Sequence, residues 1–183
     1  PFLPVHLLFI NLVTDSLPAL AIGMEPAEEG LLKQPPRNGK EGILNINFLK
    51  DLFVQGLLIA VCTMAAFRMG LESGAGPGIG FGGNLARNPR AVASTMAFTT
   101  LTLARLFHGF NCRSAHSILC LGFGSNPYSV MAFETGVLLL AAVLFIPGLQ
   151  VLFAASDLRL FEIGGVLICA LLPTVLIQAQ KIL

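Results

Sequence analysis

The stretch SVMAFETGVLLLAAVLFIPGLQVLF, from Ser129 to Phe153, decides the fold class of this chain. It has one charged residue, Glu134, and is otherwise dominated by Leu, Val, Ala and Phe. A helix needs about 20 such residues to cross the roughly 30 Å hydrocarbon core of a bilayer. The whole chain agrees: 55% of its 183 residues are hydrophobic, 11% are charged, and the mean hydropathy is +0.79. Soluble domains carry about 25% charged residues, so we expect an integral membrane protein.

Four further apolar segments accompany this one and predict an all-α membrane protein, a bundle of five transmembrane helices in one domain over residues 1–183. The predicted spans cover residues 2–24, 48–69, 91–110, 129–153 and 160–180. The third span is rich in Ser and Thr and contains an Arg, which predicts that it faces the bundle interior. Lys and Arg are slightly more frequent on the side that holds the loop 25–47 and the C-terminus, which favours a cytoplasmic location for both.

The composition gives no support to several other classes of function. The net charge is +1 and no basic cluster is present, so nucleic acid is not an expected partner. The four cysteines are scattered, which favours packing over a disulfide or a metal site. The chain opens with PFLP, without Met or a basic region, which favours a piece of a longer protein over a signal peptide. We assign His6 to packing or to the membrane interface, and Glu162 to a water boundary.

The first predicted span contains polar residues at a depth where ionisable groups are costly. Asp15 lies about 13 Å from the Met24 end of the span at 1.5 Å per residue. An ionisable residue in mid-membrane is a functional-site hypothesis by default. In an α-helix, Asn11, Thr14 and Asp15 would share one narrow face. Their amide, hydroxyl and carboxylate oxygens are hard ligands, suited to Ca²⁺ or another hard cation.

Pro18 adds a further oxygen to this group. It has no N–H to bond the carbonyl of Thr14, and transporters use freed carbonyls beside a carboxylate as ion ligands near the bilayer midplane. One helix supplies fewer than the roughly six to eight oxygens that Ca²⁺ prefers, so other helices must contribute. The alternative is that these polar residues only hold helices together, as Ser, Thr and Asn commonly do in membranes.

The sequence VHLLFINLVTDSLP, from Val5 to Pro18, resembles the sixth membrane helix of P-type calcium ATPases of the sarcoplasmic-reticulum type. The following Pro35-Pro36-Arg37 resembles the PPR of that family's next cytoplasmic loop. The resemblance implies that the chain is the last five of ten membrane helices. It also implies that Asn11, Thr14 and Asp15 are ion ligands, with Asp15 shared between the sites of two-ion pumps. Sodium/potassium pumps carry Asp at the position of Asn11, which favours calcium.

Arg105 is a departure from the pattern of that family. Two-site pumps have a Glu ligand at this position of the eighth helix, and Arg105 lies at a depth close to that of Asp15. A guanidinium there would occupy the space of the second cation and pair with a carboxylate such as that of Asp15. The resemblance to bacterial calcium pumps then predicts one Ca²⁺ per cycle. The alternative is that Arg105 extends to the membrane interface.

For the parent protein we therefore predict ATP-driven export of Ca²⁺ from the cytoplasm of a bacterium, across its plasma membrane. The resemblance implies Mg-ATP, a phosphorylated Asp and cytoplasmic domains, which these 183 residues do not contain, so this part alone should not hydrolyse ATP. The expected partners are the lipid bilayer and the N-terminal helices and cytoplasmic domains of the same pump. Two alternatives stay open: a secondary transporter or channel with Asp15 as its ion or proton site, and a P-type pump for Mn²⁺ or another cation.

Overall fold

A computed structural model describes residues 2–25, 46–75, 88–113 and 126–182 of the chain. The described residues form helices and no strand, which confirms the all-α prediction for this part of the chain. The helices are α1 (Pro4–Phe9), a π-helical segment (Ile10–Ser16), α2 (Leu17–Gly23), α3 (Ile46–Ala75), α4 (Pro89–Asn111), α5 (Pro127–Phe145), α6 (Pro147–Phe153) and α7 (Leu160–Ile182). The first three follow one another without a break, and we call them together the first span, Pro4–Gly23.

Four helical stretches of the described residues are long and apolar enough to cross a membrane: Pro4–Gly23, Phe48–Ala75, Pro127–Phe145 and Leu160–Lys181. Helix α4 is not among them, although its 23 residues correspond to about 34 Å of helix. Its threonines and Arg105 make it more polar than the other long helices. The predicted count of five spans therefore depends on whether α4 also crosses the membrane.

Helix α4 lies at the centre of the bundle, where it packs against α3, α5, α7 and the first span. More than half of its residues are buried. The hydroxyls of Thr95, Thr99 and Thr102 donate hydrogen bonds to the carbonyl groups four residues earlier, so these polar groups are satisfied within the helix itself. The prediction that this helix faces the bundle interior is confirmed, because protein neighbours surround most of it.

Two glycines allow α3 to approach α4 closely. A Cβ atom at Gly70 would lie 2.5 Å from the Cα of Ala93, and one at Gly74 would lie 2.6 Å from the Cα of Pro89. Backbone atoms cannot rotate away as the end of a side chain can, so this separation requires glycine at both positions. The two contacts hold the second half of α3 directly against the first turns of α4.

Contacts at the two ends of the bundle show that the first span, α4 and α7 run in the same direction. Helices α3 and α5 run in the opposite direction, because the end of α3 lies against the start of α4 and the start of α5 lies against the end of the first span. At one end, Glu25 after the first span meets Arg113 after α4, and the end of α7 also reaches the end of α4 there. At the other end, His6 near the start of the first span bonds the carbonyl of Phe153 at the end of α6. We call these the Arg113 end and the Phe153 end.

The observed helices differ from the predicted segments in two places. Helix α3 continues to Ala75, beyond the predicted end at residue 69, because its contact with α4 extends through Gly74. The predicted segment 129–153 is divided into α5 and α6 at Pro147, which has no N–H to donate and is well suited to the first position of a helix. Ala154, in the left-handed conformation with φ of 46°, ends α6 before the turn to α7.

The predicted aqueous loop 25–47 lies outside the described residues except at its two ends, and so does its Pro35-Pro36-Arg37 motif. Its described ends are Glu25, which belongs to the Arg113 end, and the first residues of α3.

Candidate functional site

The first span is not α-helical throughout, because Ile10–Ser16 form a π-helical segment between α1 and α2. In a π-helix each hydrogen bond spans five residues instead of four, so a turn contains more residues. Such segments are rare and occur frequently at functional sites. This one contains all three residues predicted as cation ligands, Asn11, Thr14 and Asp15. The sequence pattern predicted the polar group but not the change of helix type.

The three predicted ligands do not lie on one face as an α-helix would place them. Asn11 and Asp15 are exposed, whereas Thr14 is buried and its hydroxyl donates a 2.6 Å hydrogen bond to the carbonyl of Ile10. The wider π turn explains the difference, since three steps now rotate Thr14 further from Asn11 while four steps keep Asp15 beside it. Asn11 and Asp15 therefore form one open polar face, and Thr14 lies on the bundle side.

Asp15 forms an ion pair with Arg105 of α4, in which the guanidinium Nη2 donates to the carboxylate Oδ1. The fold thus joins two opposite charges that the sequence placed at similar depth in different spans. Both side chains stay partly open, with 47% of Asp15 and 34% of Arg105 exposed. The pair lies at the open face of the first span, where further groups can reach the carboxylate.

Pro18 is the second residue after the π-helical segment and packs against α4. A Cβ atom at Gly109 would lie 3.3 Å from the Cβ of Pro18, so the small residue leaves room for the proline ring. Because Pro18 has no N–H, one carbonyl lacks its helical donor: that of Thr14 in the α pattern, or that of Val13 in the π pattern. Both carbonyls belong to the turn that carries Asp15, so either arrangement offers a backbone oxygen near the carboxylate.

His6 fixes the first span at the Phe153 end. Its Nε2–H donates to the carbonyl of Phe153 at 2.7 Å, and its Nδ1 accepts from the N–H of Leu3 at 3.2 Å. Its ring stacks on Phe98 of α4, with 4.5 Å between the ring centroids. His6 is 1% exposed. These contacts confirm the predicted packing role.

An ion pair at the Arg113 end has no counterpart among the predicted site residues. Arg113 binds Glu25 through two hydrogen bonds, Nε to Oε2 at 3.0 Å and Nη2 to Oε1 at 2.7 Å. The Arg113 side chain is 2% exposed and that of Glu25 is 16% exposed. Hydrogen bonding to Arg113 holds the pKa of the Glu25 carboxyl below its usual value. Each residue follows the end of a helix, but no sequence pattern pairs the ends of distant helices.

The prediction that Glu162 lies at a water boundary is wrong. Glu162 is 1% exposed at the start of α7, where it accepts hydrogen bonds from the hydroxyl of Ser73 and from the N–H of Arg159, the latter at 2.7 Å. Its carboxylate therefore caps the first turn of α7 and also joins that turn to the end of α3. These contacts explain why a charged group is retained in a buried position.

Within the described ranges, no group of three or more His, Cys, Asp and Glu side chains lies close enough to hold a metal ion. The side-chain oxygens of the π-helical segment belong to one carboxylate, one amide and the two hydroxyls of Thr14 and Ser16. A backbone carbonyl near Pro18 adds one more oxygen. Ca²⁺ prefers roughly six to eight oxygens, so these donors alone are too few to complete a site for such a cation.

Comparison with known proteins identifies the family. All residues, 1–183, match the family described as cation transporting ATPase, C-terminus. The chain is 33% identical over 186 aligned residues to calcium-transporting ATPase 1 of Bacillus cereus, which covers 100% of this chain and 21% of that protein. It is 37% identical over 155 residues to the calcium-transporting ATPase of Bacillus subtilis, and this alignment covers 84% of this chain and 16% of that protein.

More distant relatives include calcium-transporting ATPase type 2C member 1 of Mus musculus, 28% identical over 167 residues, which cover 89% of this chain and 16% of that protein. The chain thus spans only between 16% and 21% of the length of these three relatives. The family match confirms the resemblance seen in the first span, and it agrees with a helical bundle that exposes many large apolar side chains. The chain belongs to the family of cation-transporting ATPase C-terminal regions.

Proposed function

We propose that this chain is the C-terminal membrane domain of an ATP-driven, P-type calcium pump and that α4 also crosses the membrane, which brings the number of spans to five. The two bacterial relatives described above are calcium-transporting ATPases and share 33% and 37% of the aligned residues. The length of α4, its central position and its direction, which is opposite to that of α3 before it and α5 after it, support five spans. Its polarity is compatible with a membrane location because protein neighbours cover most of its polar side chains.

Asn11 and Asp15 contribute ligands to a Ca²⁺ site, and Thr14 and a carbonyl of the same turn are further oxygen donors. The observation that carries this proposal is the Asp15–Arg105 ion pair on the open face of a π-helical segment inside a membrane span. A charged residue at the centre of a membrane helix costs about 2.5–3.5 kcal/mol on insertion scales. A face with an exposed Asp and Asn must therefore be shielded from lipid. N-terminal helices of the same pump would shield it and would also supply the missing ligands.

Arg105 restricts the site to one ion. Its guanidinium is always charged, and it holds Oδ1 of Asp15 while Oδ2 is left for a cation. Two unit charges 4 Å apart repel each other by about 4 kcal/mol at an effective dielectric constant of 20, and a divalent ion doubles that value. A second Ca²⁺ on the Oδ1 side, where the guanidinium already takes the space and repels it, is therefore strongly disfavoured, and we expect one Ca²⁺ per transport cycle.

In the parent protein, hydrolysis of Mg-ATP by cytoplasmic domains outside this chain would drive transport. We assign the Arg113 end, with the loop 25–47 and the C-terminus, to the cytoplasm, because Lys and Arg are more frequent on that side. We assign the protein to a bacterial plasma membrane, in line with the bacterial relatives. Transport is then a property of the full-length protein and not of these helices alone.

The first test measures how many Ca²⁺ ions the full-length protein binds at equilibrium. The number is expressed per molecule that can be phosphorylated. We expect one ion for the wild type and a changed number or affinity for Arg105→Glu. Arg68→Glu is the matched control, since it makes the same charge reversal on a side chain that is 77% exposed. Two ions bound by the wild type would refute the single-ion proposal. Unaltered binding in Arg105→Glu would show that Arg105 is not at the site.

A second test separates the pump from a secondary transporter or channel that uses Asp15. ATP hydrolysis by the full-length protein should be stimulated by Ca²⁺ and inhibited by vanadate, and Asp15→Asn should abolish the stimulation. Ion flux that continues without ATP would instead support the transporter or channel. Replacing Ca²⁺ by Mn²⁺ in the same assay tests the identity of the ion.

A further inference from the structure

We propose that Glu25, Arg113 and Asn126 form an end clamp that fixes the first span against α4 and α5 and thereby positions Asp15. None of the three belongs to the candidate ion site, so they are positioning residues. Their effect on ion binding rests on the proposed function. The clamp itself is a set of contacts at the Arg113 end and can be tested separately.

Asn126 joins the first span to α5 through one fully buried side chain. Its Nδ2 donates to the carbonyl of Ala21 in α2 at 2.9 Å and to Oε2 of Glu25 at 2.6 Å. Its Oδ1 accepts from the N–H groups of Tyr128 and Ser129 at 2.9 and 3.3 Å, which makes it the N-cap of α5. The same side chain therefore completes the end of one helix and the start of another.

Arg113 joins the first span to α4. Its guanidinium binds both carboxylate oxygens of Glu25, which is the two-bond geometry that gives Arg–carboxylate pairs their strength and specificity. The backbone N–H of Glu25 donates to the carbonyl of Ile22 at 3.0 Å, so the carboxylate is attached to the last turn of the first span. The backbone N–H of Arg113 donates in the same way to Phe110 in the last turn of α4, at 3.4 Å.

The end clamp and the Asp15–Arg105 pair connect the same two helices at two levels. Asp15 and Glu25 are ten positions apart, and Arg105 and Arg113 are eight positions apart. These separations correspond to about 15 Å and about 12 Å of helix. The Glu25–Arg113 pair is shielded and has two hydrogen bonds, whereas the Asp15–Arg105 pair is partly open. Shielded two-bond pairs constrain geometry more than open ones.

The end clamp therefore determines the rotation and height of the first span relative to α4. Ion ligands must be held within about 0.5 Å of their working geometry by the groups around them. Without the clamp, the last turn of the first span loses its bonds to α4 and α5. Asp15 is then held against α4 by its own open pair with Arg105 and by the packing of Pro18 on Gly109, without the shielded two-bond pair.

The experiment uses the full-length protein with Glu25→Gln, Arg113→Gln and the double variant of both. Arg113→Lys is a milder change that keeps the charge but cannot form the two-bond geometry. The matched control is the double variant Arg68→Gln, Glu72→Gln, which removes the same two charges from a pair whose side chains are 77% and 76% exposed.

Two readouts are measured. The first is the Ca²⁺ concentration that gives half-maximal ATP hydrolysis, and the second is hydrogen–deuterium exchange of residues 17–25 without Ca²⁺, with residues 46–75 as reference. We expect each single Gln variant to raise the half-maximal Ca²⁺ concentration by at least about fivefold, the lower end of typical coupling between sites. The double variant should match the single ones, because all three lose the same contact. Exchange of residues 17–25 should be faster in all three and unchanged in the control.

Unchanged exchange of residues 17–25 would overturn the end clamp. Faster exchange with an unchanged half-maximal Ca²⁺ concentration would overturn the positioning role. If the wild type shows no Ca²⁺-stimulated hydrolysis, the proposed function fails, while exchange still decides whether the clamp exists. Faster exchange of residues 46–75 in the Gln variants would indicate general unfolding. In that case the same two readouts on Arg113→Lys decide whether the end clamp exists and whether it positions Asp15.

Discussion

Gly70 and Gly56 lie on the same helix, α3, but differ completely in what surrounds them. A Cβ atom at Gly70 would lie 2.5 Å from the Cα and 2.9 Å from the N of Ala93, whereas one at Gly56 would meet nothing within 4 Å. Replacement by Ala gives both positions the same gain in helix propensity, about 0.5–1 kcal/mol. The difference between the two variants therefore isolates the steric cost at Gly70.

The contact distances at Gly70 determine the steric cost of the added methyl group. Since ordinary Cβ contacts begin at 3.4 Å, α3 and α4 must separate by nearly 1 Å to admit the new methyl group of Gly70→Ala. A gap of about 0.5–1 Å forfeits a quarter to a half of each affected van der Waals contact. Overpacking of this kind typically costs about 1–3 kcal/mol. We expect Gly70→Ala to be less stable than Gly56→Ala by that amount.

The assay is thermal unfolding of the two full-length variants and the wild type in the same detergent. Gly56→Ala should melt at or slightly above the wild-type temperature, and Gly70→Ala should melt clearly below Gly56→Ala. Equal melting temperatures for the two variants would refute the close packing of α3 on α4. The comparison does not depend on the transported ion, because neither glycine belongs to the candidate site.

The remaining predictions concern pH, a helix cap and one side-chain contact. Because Arg113 lowers the pKa of Glu25, ionised Glu25 contributes stability above pH 4.5, its usual pKa, and this contribution is lost as the pH falls through the lowered value. Glu25→Gln should remove this part of the acid dependence of the melting temperature, and an unchanged acid branch would contradict it. Asn126→Ala removes the N-cap of α5 and should cost about 0.5–2 kcal/mol in thermal unfolding; full wild-type stability would disprove the cap. Gly136→Ala places a Cβ 2.6 Å from the Cδ2 of Leu106, so Leu106→Ala should partly rescue its lower melting temperature, and additive losses would speak against the contact.

Much of the bundle could be predicted because a bilayer imposes simple requirements. The long apolar segments follow from the minimum length and composition of a span, and the threonines of α4 correctly indicated an interior position. Helix type inside the first span could not be predicted. The π-helical segment lies next to Pro18, whose ring fits against Gly109 of a helix far along the chain. The sequence around Asn11 does not indicate this contact with a distant helix.

In the candidate site, too, features that follow from the sequence pattern could be predicted, and features that depend on packing could not. The resemblance to two-site pumps, together with similar depth in two predicted spans, predicted that Arg105 would meet a carboxylate such as Asp15, and the structure contains that contact. Burial of Thr14 could not be predicted, because it depends on the wider π turn. The Glu25–Arg113 pair could not be predicted either, since neither residue stands in a motif and only the packing of helix ends brings them together.

The central position of α4 has a consequence for how the protein is made. A segment that contains Arg105 and several hydroxyl groups has little affinity for lipid of its own, with a cost of about 2.5–3.5 kcal/mol for the charge alone on the translocon scale. In the proposed arrangement of five spans, it must stay in the membrane during synthesis before α5 and α7 exist. The first span and helix α3 both precede it and contact it, and α3 fits it more extensively, through two glycines. We expect the retention of α4 in the bilayer to depend on α3, so the pair enters the membrane as one hairpin.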